Sequence, residues 1–145
     1  MSERLDNRTV EGNGPQIRVE QVGRCRKIEP GRWLCDWRVE NLTGNAVELF
    51  TARVPHGKFR SEERNFGAPL KIPGGESARI QMLVRCDELA RTVVENAFLI
   101  LLIEWLNAQW RTFVRFLVTV DNDGRPKTRT ESITTQRVGF SGVSD

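Results

Sequence analysis

Two apolar runs constrain this chain more than any other feature. They are residues 97–105 (AFLILLIEW) and 110–120 (WRTFVRFLVTV), separated by Leu106-Asn107-Ala108-Gln109. Both are rich in β-branched and aromatic residues, and both fall well short of the ~20 apolar residues that a membrane helix needs. The pair predicts a β-hairpin at the centre of a sheet, followed by the turn signal Asp121-Asn122-Asp123-Gly124. In 97–105 both phases of the alternation are apolar. Leu99, Leu101, Ile103 and Trp105 make one row; Phe98, Ile100 and Leu102, ending at Glu104, make the other. In 110–120 the inward row is Trp110, Val114, Phe116, Val118 and Val120, and the outward row is Arg111, Phe113, Arg115 and Leu117. A strand with one face in water should be polar on that side. Exposed together, Phe98, Ile100, Leu102, Phe113 and Leu117 would form a patch of roughly several hundred Å², the size that marks an interface. Either the chain covers this patch itself, with residues 87–96 or its C-terminal residues, or a partner does.

The rest of the chain supports an all-β reading. Residues 1–15 are polar and aperiodic and read as an N-terminal arm. Residues 16–28 read as a first strand, turned by Glu29-Pro30-Gly31. Residues 32–41 alternate cleanly, with Trp33, Cys35, Trp37 and Val39 on one side and Leu34, Asp36, Arg38 and Glu40 on the other. Strands are expected at 46–54, at 70–72 and at 77–86, where Ile80, Met82, Val84 and Cys86 point inward. Residues 58–69 read as a charged surface loop. Residues 87–95 carry helix formers behind Asp87 as a capping residue, so a short helical turn is expected there. Residues 125–145 read as a polar tail, with a weak strand at 132–138 as an alternative. The expected domain is therefore 16–124: about seven strands, spaced as in a two-sheet antiparallel sandwich, with a closed barrel as runner-up.

Charge argues against some functions. The 22 basic and 19 acidic residues are interspersed, leaving a net +3 without a basic run. The polar start has no apolar leader segment, so the expected location is the cytoplasm, with no membrane association.

Few residues invite chemistry. His56 is the sole histidine and has no partner at ligand spacing, so it reads as a loop residue. Cys25, Cys35 and Cys86 form no C-x-x-C pair. If the first hairpin turns about Pro30, Cys25 faces Cys35; a disulfide is then feasible, but reduced thiols are the expected state in a cytosol. The D-x-D-G at Asp121 opens like a calcium loop but lacks the later ligands, Ser132 standing where the closing Glu belongs. A turn is the better reading. Trp33, Trp37, Trp105 and Trp110 mostly share inward phases and read as core. No catalytic residue, cofactor or metal ligand is expected.

The strand that runs into Asn41-Leu42-Thr43-Gly44-Asn45, the turn-and-strand KIPGGESARIQMLV and the long final hairpin resemble the immunoglobulin-like and fibronectin type III-like sandwich superfamily, in a form similar to generic bacterial domains. The resemblance spans about residues 16–124. It implies an adhesion, docking or spacer module rather than an enzyme. The antibody disulfide is not implied, because Cys86 precedes the central hairpin. The expectation is a non-catalytic module that binds a protein partner, or itself, through Phe98, Ile100, Leu102, Phe113, Arg111, Arg115 and Leu117. The alternative is a nucleic-acid or polyanion binder using the outward arginines Arg38, Arg79, Arg85, Arg111 and Arg115.

Overall fold

Period-two alternation runs through nearly the whole chain. The computed structural model, which describes residues 14–55 and 57–139, is correspondingly all β, with no helix among those residues. The nine strands are β1 (Ile17–Gln21), β2 (Arg26–Glu29), β3 (Arg32–Asn41), β4 (Val47–Val54), β5 (Ser61–Ile72), β6 (Ser77–Arg85), β7 (Val93–Trp105), β8 (Ala108–Val120) and β9 (Pro126–Arg137). They form two antiparallel sheets, not closed into a barrel. In the four-stranded sheet β3 pairs with β1 and β2 on one side and with β6 on the other. The five-stranded sheet has the order β5-β4-β7-β8-β9.

The alternating residues named from sequence fill the space between the sheets. Trp33, Cys35, Trp37 and Val39 of β3 and Ile80, Met82 and Val84 of β6 are buried against Leu99, Leu101, Ile103, Val114, Phe116 and Val118. At the centre the Trp37 and Phe116 rings stack across the sheets, 5.6 Å between centroids, with Phe59 edge-on to both. Burying an aromatic of this kind stabilises by about 1.5–3 kcal/mol. The Trp37 indole N–H, which burial would otherwise orphan, donates to Thr128 Oγ1 at 3.1 Å. Thr128 belongs to β9, and both its backbone N–H and its hydroxyl donate to Gln21 Oε1. Thr130 Oγ1 donates to the Val19 carbonyl at 2.7 Å. The edges of the two sheets are thereby stitched together along β1 and β9.

Several expectations need correction. The helical turn expected at 87–95 is absent. Arg91 adopts φ 72°, which no right-handed helix tolerates, and the β-branched Val93 and Val94 open β7, pairing with Thr119 and Val118. Residues 58–69 are not a loop: β5 occupies most of them, and Phe59 is fully buried. The polar segment after Gly124 supplies β9, which pairs with β8 from Trp110↔Arg137 to Val120↔Pro126. The expected first strand splits in two at Gly23, φ 67°. Cys25 and Cys35 do face each other, since Arg26 pairs with Leu34 and Lys27 with Trp33. They form a disulfide, Cα–Cα 4.4 Å, where reduced thiols were expected. The readings of His56, of the N-terminal arm up to residue 13 and of the last six residues lie outside the described residues; Gly14 and Pro15 are buried.

One end of the sandwich is held by Asn41, which is fully buried. Its side-chain N–H₂ donates to the carbonyls of Asn45 and Ile72, and its Oδ1 accepts from the Thr43 backbone N–H at 3.0 Å. Its backbone exchanges hydrogen bonds with Gly75 and Glu76. The β3–β4 and β5–β6 connections, both of which cross between sheets, therefore meet at one residue. Gly74 is required there, because a Cβ would lie 2.4 Å from the Gly44 carbonyl oxygen.

Candidate interaction face

The long hairpin of β7 and β8 turns on only Leu106 and Asn107, at φ 51° and 63°. Two consecutive left-handed residues make the type I′ turn whose twist matches the flanking strands, and this fixes the register. Phe98 lies opposite Arg115, Ile100 opposite Phe113 and Leu102 opposite Arg111. All six are on the outer side of the five-stranded sheet, away from the core. Leu117 continues the row along β8, opposite Arg129 of β9. The seven residues picked out by alternation thus form one contiguous patch. Phe98, Ile100, Leu102, Phe113 and Leu117 are half-buried, and no described strand lies across them. Residues 126–137 do not cover the patch, because they pair edge-on as β9.

Sequence reasoning missed the contribution of β4. A bulge between Leu49 and Thr51 leaves Leu49 and Ala52 in the core and turns Phe50 and Thr51 outward, where both are half-buried. The alternation Leu49-in, Phe50-out was a usable signal for Phe50; the bulge behind it was not. The face carries charge at both ends. Glu48 lies opposite Glu104 at one end, while Arg53 lies opposite Ile100 and Arg115 opposite Phe98 towards the other. Arg115 is 3.8 Å from Glu131 on β9.

The outward arginines of the alternative reading do not converge. Arg38, Arg79 and Arg85 lie on the four-stranded sheet, with Arg38 directly opposite Arg79. Arg111 and Arg115 lie on the outer face of the other sheet.

The remaining candidates are structural. Asp121 Oδ1 accepts from the backbone N–H groups of Asp123 and Arg125, at 2.8 and 2.9 Å, so the D-x-D-G forms a turn. These bonds, that from Arg125 foremost, hold its carboxyl below the usual range. The Cys86 thiol is buried, and burial, with Glu88 and Asp87 adding repulsion, pushes its pKa up to about 11. A thiol so far from ionising is a packing residue rather than a nucleophile.

No family model matches this chain, and no curated protein matches it. Among solved structures, the chain is similar to the X-ray structure of Northeast Structural Genomics Consortium target SoR45. The two are 13% identical, with 85% of this chain and 84% of that chain covered, at a TM-score of 0.27. Likeness at that level identifies neither fold family nor function.

Proposed function

We propose that the chain is a non-catalytic, immunoglobulin-like interaction module that self-associates through the outer face of β7 and β8. The observation that carries this reading is the patch of Phe50, Phe98, Ile100, Leu102, Phe113 and Leu117, which no described strand covers. An apolar sheet face left in water forfeits the transfer free energy that a second apolar layer would recover. A second copy is favoured as the occupant by the order of charges along the face. A two-fold axis lying in the interface and running across the strands, level with Ile100 and Leu102, reverses strand direction. It brings Glu48 and Glu104 of one protomer towards Arg53 and Arg115 of its partner. Such a face is self-complementary, as an isologous dimer requires.

The test is size-exclusion chromatography with light scattering on the wild type and on Phe98→Glu, Phe113→Glu and Glu104→Arg. The expected result is a wild-type dimer, monomeric Phe98→Glu and Phe113→Glu with unchanged circular dichroism, and a weakened dimer for Glu104→Arg. A wild-type monomer at every concentration overturns the reading.

The compartment is a separate matter. The expected location is the cytoplasm, whereas a Cys25–Cys35 disulfide is the usual state in an oxidising environment. We read the disulfide as the weightier observation. Thiol counting on protein denatured at purification tests it: one free thiol per chain is expected, and three would reverse it.

A further inference from the structure

Opposite the β1–β9 seam, the edges of the two sheets approach each other again at β5 and β6. There the antiparallel ladder places three arginines in one row. Arg32 of β3 lies directly opposite Arg85 of β6, and Arg85 lies opposite Arg60, which immediately precedes β5. The last pair is fixed by two backbone hydrogen bonds, Arg60 N–H to the Arg85 carbonyl and Arg85 N–H to the Arg60 carbonyl. Directly opposed residues share a face, so three guanidinium groups rise side by side, an arrangement that destabilises a sheet when nothing neutralises it. One carboxylate serves the row, Glu29, whose Oε2 accepts from Arg32 at 3.0 Å. Among the described residues, neither Arg60 nor Arg85 has a carboxylate within ion-pair distance. The row borders a groove of about 1080 Å³ that Arg53 and Arg64 also line. Arg64 is held across the opening: it donates to the Gln81 carbonyl at 2.5 Å and lies over the Phe66 ring. Five arginines thus line one concave space, with Glu62 and Glu63 beside them.

We propose that this groove binds a compact polyphosphate-bearing ligand, with Arg60 and Arg85 as its principal contacts. Guanidinium forks match phosphate oxygens two at a time, and an anion between Arg32, Arg85 and Arg60 turns their mutual repulsion into attraction. The groove has the volume of a small-ligand site. Compactness follows from what borders it. The adjoining hollow, which shares Arg32, Arg60 and Arg85, adds Glu29, Asp87 and Glu88 against the single further cation Lys58, itself 4.0 Å from Glu88, so a longer polyanion leaving the groove there meets an excess of carboxylates. The groove shares Arg53 with the face proposed for the dimer, whereas its principal contacts, Arg60 and Arg85, lie off that face.

Isothermal titration with inorganic tripolyphosphate at low salt tests the proposal. The expected result is saturable binding with one ligand per chain. Arg60→Ala and Arg85→Ala should each weaken it roughly tenfold, the loss expected for a charge-assisted contact. Arg85→Lys, which keeps the charge but not the fork, should weaken it less, and Arg18→Ala, on β1 at the other edge of the four-stranded sheet, should leave it unchanged. Amide shifts in a titration followed by NMR should centre on Arg60 and Arg85 even in a variant of reduced stability. Absence of saturable binding overturns the proposal, as does an equal loss in Arg18→Ala. A single-stranded oligonucleotide that binds more tightly than tripolyphosphate overturns the compact-ligand assignment.

Discussion

The two sheets share one core, yet their outer faces are built on opposite rules. On the four-stranded sheet the outward residues of β1, β3 and β6 are largely polar and answer one another across strands. Arg18 lies 3.5 Å from Glu40, Arg79 lies 3.7 Å from Asp36, and Gln81 donates to Asp36 at 3.0 Å. On the five-stranded sheet the same outward positions in β7 carry Phe98, Ile100 and Leu102. The first face has the alternation of a sheet that ends in water; the second has that of a sheet with another layer on it. The sheets also differ in how they hold together. β2 is exposed along its length and pairs only with β3, and the disulfide of the preceding Cys25 ties it down. β7 has a neighbour on each side and needs no covalent tie.

Three changes of decreasing effect, the first paired with an outward-facing control, sharpen this contrast. Phe116→Ala empties the ring stack between the sheets and should cost about 3–5 kcal/mol in denaturant unfolding. Phe113→Ala, three residues away but facing outward, should cost only about 1 kcal/mol measured as monomer. Equal costs would mean that the outer face is a second core covered by the chain itself. Replacing both Cys25 and Cys35 by Ala opens a loop with a sequence separation of 10 and should lower stability by about 2–3 kcal/mol. A loss near zero in the same unfolding assay would mean that β2 contributes little to the folded state. Smallest is Asp36→Asn, which weakens pairing with Arg79 on the solvated face and should cost less than ~1 kcal/mol, fading further in high salt. A larger loss would give that face a structural weight its exposure does not suggest.

Where the alternation was strong, the sequence could be read directly. β3 was legible because four large residues fall on one side, and the facing of Cys25 and Cys35 followed from counting residues about Pro30. The candidate face was legible for the same reason. β9 was not, because its inward positions include Thr128 and Thr130, which meet the core through hydrogen bonds rather than apolar bulk. β5 was hidden by charge and by register shifts against β4, which break the period of two that would have announced it. The apparent helix at Asp87 was a matter of composition alone. Helix formers do not make a helix when Arg91 turns left-handed and the two valines behind it extend an existing hairpin. The arginine row was invisible for a topological reason: Arg32, Arg60 and Arg85 become neighbours only once β3, β6 and the approach to β5 lie side by side.

Asn41 and Gly74 act on the molecule as a spine acts on a book. The crossovers they fasten lie at the last residues of β3 and β5 and the first of β4 and β6, whereas Arg32, Arg60 and Arg85 lie at the far ends of the same strands. At that far end the covers are joined by the backbone hydrogen bonds between Arg60 and Arg85. A ligand seated among those arginines would act as a clasp, closing the leaves from the side that the spine does not reach.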